Sequence, residues 1–386
     1  MAKNVLFFVH GIGQHKKGWI HAPGGPVEAL ESAMRHYPAC FPAGAKLADY
    51  LDLVEIRYDD VFDLILDTWQ ELGQSIPANA GFDWVGAVGN LWQSTNGRKD
   101  LFLRFGGDVL LYCGFDLVAR TVRLRVNSVI ATKIYQTWLA AGGAPGNIPR
   151  FAVAAHSQGT TVAQDALYQL ATARWDDDVA EVERHKPELL DNPNLAPADR
   201  ADFNAVVAGA RANPDRPVPV GLSALYLISN TIPLLRQVAG EYALLKTDGA
   251  YDCARVYNIN HAWDPVSRAG GGAANPTPRP GWSNITIRHV HQRNVHGFGH
   301  YLANPAVHAP IFARLIDPGF TGACAQAARA LAQSPEWTGF GGALAGLDQQ
   351  ARQILEDGLR GLVTGQTSIA ALRAAIEQLI RQFADA

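Results

Sequence analysis

The sequence predicts an α/β fold with a mostly parallel sheet flanked by helices, and two apolar stretches carry this prediction. Residues 151–155 lack the alternation of a half-exposed strand, which is typical of a parallel strand covered on both faces. Apolar residues at helical spacing follow directly, as in a strand-turn-helix unit. Residues 4–9 predict a second apolar strand, which leads into a glycine turn.

Composition excludes several classes of protein. Charged residues make up 18% of the 386-residue chain, hydrophobic residues 48%, and the formal net charge is −3, which predicts neither disorder nor a nucleic-acid partner. No segment approaches the ~20 apolar residues of a membrane-spanning helix. Four widely separated cysteines lack the spacing of a zinc site, which predicts free thiols in a reducing compartment and a cytoplasmic protein: Cys40, Cys113, Cys253 and Cys324.

The turn after the first strand, His10-Gly-Ile-Gly-Gln-His15, has the features of an oxyanion site. Glycines at a strand end let the backbone pass close to a reacting group, where an N–H can point at a developing negative charge. The alternative is a tight turn with an incidental histidine.

Residues 151–160 have the pattern of a nucleophile elbow, in which a strand breaks sharply into a helix at Ser157. The strained turn requires small residues two positions before and after the nucleophile, and these are Ala155 and Gly159. The alternative is a serine that only caps a helix.

These two motifs, in this chain order, resemble the α/β-hydrolase superfamily. The likeness is to serine lipases and esterases that open with a strand followed by His-Gly-Ile-Gly-Gln, as residues 10–14 do. The resemblance implies an α/β-hydrolase fold in which Ser157 is the nucleophile and the amides of Ile12 and Gln158 form the oxyanion hole. It also implies cleavage of carboxylic esters, small-molecule or lipid, without a cofactor.

Between the two motifs, residues 27–36 predict a helix and residues 51–58 a strand. Residues of about 60–138 read as a helical insertion with Trp69, Trp84, Trp92 and Trp138, which we expect to form a cap that binds an acyl chain. The alternative is an ordinary hydrophobic packing layer. Beyond the elbow helix, residues 174–217 carry no assigned chemistry, and residues 219–229 predict a further strand.

A strand within residues 254–266 ends at Asp264, which Pro265 follows. A triad acid must be held rigidly against the imidazole, and a strand-end loop stiffened by proline suits that role. We therefore expect Asp264 to be the acid, the alternative being an Asp-Pro turn.

The base is expected within residues 289–301. His300 is the first choice, because the Tyr-Leu-Ala-Asn-Pro that follows it resembles the segment after the catalytic histidine in these lipases. His296 remains an alternative, because relatives usually have two residues between the histidine and the aromatic residue. His289 and His291 are expected on an alternating strand over residues 285–291.

The histidines of residues 289–301 could also indicate a metal site. His289, His291, His296 and His300 are clustered, but no helix-borne His-x-x-x-His with a nearby acid accompanies them. The sequence therefore predicts no catalytic metal.

Residues 1–317 are expected to form the hydrolase domain, with 318–386 as a C-terminal helical extension. Apolar residues recur there at spacings of three and four, which predicts two amphipathic helices. Their stripes would pack on the core, meet a second subunit or touch a membrane surface transiently, and the oligomeric state stays open.

The sequence thus predicts a serine ester hydrolase, similar to lipases and esterases, with Ser157, Asp264 and His300 as its triad. The same site would also serve a thioesterase or a peptidase, because pocket shape decides between acyl groups. A non-catalytic binding protein with a hydrolase fold is the remaining alternative.

Overall fold

The structure is a computed structural model in which helices pack on both faces of a parallel sheet. It describes residues 3–13, 15–62, 107–114, 116–140, 149–171, 175–185, 192–212, 222–233, 253–262, 264, 266–267, 280–290, 295–316, 320, 322–334, 337, 357, 366, 368 and 371.

The sheet has six strands, and every described pair is parallel. The strands are β1 (Asn4–Val9), β2 (Leu51–Ile56), β3 (Phe151–His156), β4 (Leu222–Ile228), β5 (Val256–His261) and β6 (Trp282–Ile287). Their order is β2-β1-β3-β4-β5-β6, so the chain changes direction across the sheet between β1 and β3. In open parallel sheets ligands bind beyond the carboxyl ends of the strands at such a switch point.

Ten helices are described beside a short 3-10 turn over residues 19–21. They are α1 (Pro26–Met34), α2 (Leu47–Tyr50), α3 (Gly107–Gly114), α4 (Asp116–Ala140), α5 (Gln158–Ala171), α6 (Trp175–His185), α7 (Pro197–Ala212), α8 (Phe298–Ala303), α9 (Pro305–Leu315) and α10 (Ala323–Ala332). Asn304 caps α9, since its side chain accepts the amide of Ala306 at 2.9 Å, and Pro305 at the first helical position suits a helix start.

Alternate residues of the strands point into two separate cores. Phe7 and Val153 face the core that α3, α4, α5, α6 and α7 cover, whereas Phe8 and Ala154 face the core under α1, α2, α8, α9 and α10. Both faces of the sheet are therefore buried, which explains why these strands lack polar alternation. Burying each phenylalanine contributes about 1.5–3 kcal/mol. The predicted α/β fold with a mostly parallel sheet is confirmed.

The predicted cap divides into two parts. Residues 63–106, with Trp69, Trp84 and Trp92, lie outside the described residues. Residues 107–114 and 116–138 belong to α3 and α4, which bury Tyr112 and Val122 in the same core as α5. This part packs as a layer on the sheet, as the alternative interpretation expected.

The start of the predicted C-terminal extension joins the core of the domain. In α10, Cys324 and Ala328 are buried against α9, and Cys324 forms a disulfide with Cys40, their Cα atoms 6.4 Å apart. The prediction of free thiols is therefore wrong for this pair. The amphipathic pattern of residues 354–383 lies outside the described residues, apart from single positions.

One further prediction, the alternating strand over residues 285–291, needs correction. Strand β6 ends at Ile287, so His289 follows the strand instead of lying on it, and His291 is outside the described residues. None of the described helices combines the length and the apolar character needed to cross a membrane.

Candidate active site

Ser157 occupies the sharp turn between β3 and α5. Its backbone is left-handed, with φ at 54°, which costs a non-glycine residue about 1–3 kcal/mol unless the surroundings hold it. Here the Ser157 amide donates to the carbonyl of Ile228 at 2.9 Å, and the hydroxyl of Thr231 donates to the Ser157 carbonyl at 3.0 Å. The strand-turn-helix geometry predicted from the sequence is therefore present.

Close approach of the turn after β1 explains the glycines around Ser157. A Cβ at Gly159 would collide with the His10 carbonyl, and one at Gly11 would lie 2.6 Å from the Cβ of Ser157. The His10-Gly11 turn thus packs directly against the serine. Ile12 lines the cleft beside Ser157, and Gln158 is the first residue of α5, where a helix leaves its amides without helical acceptors.

His296 lies between Ser157 and Asp264. Its Nε2 is 3.0 Å from Ser157 Oγ, while its Nδ1 is 2.9 Å from Asp264 Oδ2 and 3.1 Å from Oδ1. Asp264 accepts a hydrogen bond from Nδ1–H, so in the neutral ring Nε2 carries no proton and presents its lone pair to the serine hydroxyl. This is the hydrogen-bond order of a nucleophile, a general base and an orienting acid.

His300 does not occupy this position, which corrects the sequence-based preference for it. It lies inside α8, buried, with its ring 5.1 Å from that of His261. The neighbouring Tyr301 faces Asp264 instead, and consecutive helical residues point about 100° apart. The tyrosine that drew attention to His300 therefore belongs to the site, whereas the base comes from the turn before α8.

Asp264 is fully buried and satisfied by several donors. Its Oδ2 accepts the hydroxyls of Ser229 and Tyr301, both at 2.6 Å, and its Oδ1 accepts the amide of Val266 at 2.9 Å. Burial alone would raise the pKa of Asp264, but the charge of His296 and these hydrogen bonds outweigh it and lower the pKa below its usual 3.8. The residue is therefore ionised at neutral pH. Pro265 lies outside the described residues, so the rigidity shown here comes from these hydrogen bonds.

The ion pair with Asp264 raises the pKa of His296, whereas it lowers that of Asp264. Burial disfavours the imidazolium, but the carboxylate of Asp264 more than compensates and raises the pKa of His296 above 6.5. The side chain remains 28% exposed. A base next to the cleft can thus hold a proton that it has taken from Ser157.

His156, just before the nucleophile, supports the turn that carries His296. Its Nε2 lies 2.6 Å from the carbonyl oxygen of His296, and its ring stacks on Phe298 at 5.0 Å. Burial lowers the pKa of His156 to about 3, so the ring is neutral and its Nε2–H donates this hydrogen bond. Sequence reasoning assigned no role to His156, Ser229 or Tyr301. Tyr301 was noted only as the aromatic residue after His300, and Ser229 left a signal because it follows β4 as Ser157 follows β3.

His10, His15 and Asp59 form a second polar group, and among the described residues it is the one set whose atoms could hold a cation. Asp59 Oδ2 lies 3.4 Å from His10 Nε2 and 3.5 Å from His15 Nδ1. The two rings, however, stack at 4.1 Å with only 16° between their planes. An imidazole binds metal within its ring plane, so one ion cannot be coplanar with both rings. We therefore interpret the three side chains as structural. Burial lowers the pKa of His10 to about 4.

A cleft of about 750 Å³ opens above Ser157 at the switch point between β1 and β3. Its floor includes Ser157, His296 and Gly11, and its walls come from the turn after β1 and the start of α8. Its size suits a small organic ligand or one acyl chain.

Comparisons of the chain with protein-family models, with curated proteins and with solved structures find no match. Its function must therefore be inferred from the site itself, in which a strained serine, a histidine and a buried carboxylate form hydrogen bonds beside an open cleft.

Proposed function

We propose that the protein is a serine hydrolase of the α/β-hydrolase type that cleaves carboxylic esters through an acyl-enzyme intermediate. One observation carries this proposal: His296 bridges Ser157 at 3.0 Å and Asp264 at 2.9 Å through its two ring nitrogens. The chain order of serine, acid and histidine is that of α/β-hydrolases.

In the first step Ser157 Oγ attacks the ester carbonyl while His296 Nε2 takes the hydroxyl proton. Asp264 keeps the proton on Nδ1 and stabilises the imidazolium, which fits the raised pKa of His296. The tetrahedral oxyanion is assigned to the amides of Ile12 and Gln158, on the two turns that meet at Ser157.

Collapse of this intermediate expels the alcohol, which takes its proton from His296. Water then enters the cleft, gives a proton to the same nitrogen and attacks the acyl-enzyme, and the second collapse releases the acid and restores Ser157. The reaction needs no cofactor. A small-molecule or lipid ester would occupy the cleft above the serine.

Three alternative functions are compatible with the same site. A thioesterase or a peptidase would share every residue above, and a binding protein would keep the fold without turnover. Ester cleavage is favoured over mere binding because the base contacts the nucleophile with its lone pair available.

The test uses one acyl group in three linkages: the butyryl p-nitrophenyl ester, the butyryl thioester and the butyryl anilide. We expect the ester to be turned over well above the rate with Ser157→Ala, and the anilide to be the slowest of the three. Equal rates for wild type and Ser157→Ala on all three compounds would leave a binding protein as the better account. A thioester preferred over the ester would favour the thioesterase.

A further inference from the structure

The walls of the cleft carry charge of one sign. Among the described lining residues the side chains with a fixed charge are Lys16 and Lys17, and none is a carboxylate. Both lysines are exposed, and neither pairs with an acidic group of the described chain. The same cleft reaches Ser157, so both lysines and this serine line one space.

The turn that presents the lysines is fixed at both ends. The amide of His15, just before them, donates to Asp59 Oδ2 at 2.7 Å. The amide of Gly18, just after them, donates to both carboxylate oxygens of Glu55, at 2.8 and 2.9 Å. Charge-assisted hydrogen bonds of this kind order a loop without using the lysine side chains. The backbone of the two-lysine turn is therefore preorganised.

The nearby carboxylates are held by backbone amides and by side chains other than the lysines. Glu55 Oε1 lies 4.0 Å from the Nε of Arg57, and Asp59 Oδ2 lies 3.4 Å from His10 Nε2 and 3.5 Å from His15 Nδ1. Gly24 also lines the cleft, and its amide donates to Glu28 at 2.7 Å. These acids accept backbone amides, and none of them forms an ion pair with Lys16 or Lys17 among the described residues. Neither lysine is therefore bound to a carboxylate that an anionic ligand would have to displace.

We propose that this cleft selects esters that carry a negatively charged group, which Lys16 and Lys17 attract while the ester carbonyl lies at Ser157. This inference rests on the function proposed above and names its substrate class. A lysine ammonium is a compact point charge on a flexible stem, so it selects for charge more than for the shape of the anion. A carboxylate and a phosphate would both satisfy it.

The first test compares two esters that differ only in charge. The anionic ester is p-nitrophenyl hydrogen adipate, and its neutral isostere is p-nitrophenyl 6-methylheptanoate. A second pair, 4-acetoxybenzoate and 4-acetoxybenzamide, places the charge on the leaving group. For each pair we define the charge preference as kcat/KM of the anionic ester divided by that of the neutral ester.

We expect the charge preference of at least one pair to fall roughly two- to fivefold in Lys16→Met and in Lys17→Met, and about tenfold in the double variant. Lys16→Arg and Lys17→Arg should retain it, and added salt should weaken it in wild type. The matched control is Lys3→Met, which removes the same charge at the amino end of β1, the opposite edge of the sheet. A charge preference that changes no more in the cleft variants than in Lys3→Met, for both pairs, would overturn the proposal.

A binding measurement separates this inference from the proposed chemistry. The dissociation constants of each ester pair are measured by calorimetry on Ser157→Ala, with and without the two lysine substitutions. A lysine-dependent preference for the anionic ester supports the inference even if wild type turns over neither compound. Turnover without any such preference would retain the hydrolase and reject the anionic substrate class.

Discussion

Strands β3 and β4 end in the same way, yet only one of the two ends has the surroundings of a nucleophile. Each is followed by a buried serine in a left-handed conformation, Ser157 with φ 54° and Ser229 with φ 52°. Each serine donates its amide to a carbonyl of the neighbouring strand, Ser157 to Ile228 of β4 and Ser229 to Ile259 of β5. Backbone strain at a strand end therefore does not by itself distinguish the two serines.

The two serines differ in which nitrogen of His296 their hydroxyl contacts. Ser157 Oγ lies 3.0 Å from Nε2 and lines the cleft. Ser229 Oγ lies 3.1 Å from Nδ1 on the other side of the ring and donates to Asp264 at 2.6 Å. Asp264, with its lowered pKa, is a poor base, so Ser229 supports the acid and Ser157 is positioned to react.

The substitution with the largest expected effect removes His296, the histidine that both serines contact. We expect His296→Ala to lower kcat/KM by a factor of roughly 10³ or more, because among the described residues no other group contacts Ser157 Oγ as a base. His300→Gln should stay within a fewfold of wild type if the protein folds. The kinetics of both variants are measured on one ester, with circular dichroism as the folding control. Near-normal activity of His296→Ala would reject the assignment of the base.

The next effect is a shift in pH dependence. Activity requires neutral His296, so kcat/KM should fall as the pH drops through its pKa, which Asp264 raises above 6.5. In Asp264→Asn the imidazolium loses its partner, so the acid limb should move to lower pH and the rate should fall by about 10² to 10⁴. Full pH profiles of both proteins provide the measurement. An acid limb at the same pH in both would mean that Asp264 does not act through His296.

The smallest effect concerns Ser229 itself. Ser229→Ala removes one hydrogen bond from a fully buried carboxylate while Tyr301 and Val266 keep theirs. We expect kcat/KM to fall only about three- to thirtyfold, and the free energy of unfolding to fall by about 1.5–3 kcal/mol. Ester kinetics and urea denaturation measure the two changes. A loss as deep as that of Ser157→Ala would remove the distinction between the two serines.

The position of a site residue could be predicted where the residues that fix it are close to it in the sequence. Ser157 could be predicted because the strand, the small neighbours and the helix all lie within residues 151–170. The position of Asp264 at a strand end could be predicted for a similar reason. The choice between His296 and His300 could not, because it depends on which side of α8 faces the sheet, and on Tyr301 taking the contact with Asp264.

Contacts between segments that are far apart in the chain could not be predicted from the sequence. The parallel fold followed from apolar runs that are buried on both faces, and β1 agrees with its predicted bounds. The disulfide joins cysteines 284 positions apart, and pairing cannot be deduced from spacing alone. The hydrogen bond from His156 to the His296 carbonyl likewise spans 140 positions and leaves no pattern in the chain.

The most direct measurement of the central claim is covalent labelling with a fluorophosphonate probe, followed by mass spectrometry of the peptides. Wild type and Ser229→Ala should both carry one adduct, on Ser157, because its hydroxyl alone of the two lines the cleft next to Nε2 of His296. Ser157→Ala should carry none. An adduct on Ser229, or labelling that persists in Ser157→Ala, would contradict the assignment of Ser157 as the nucleophile.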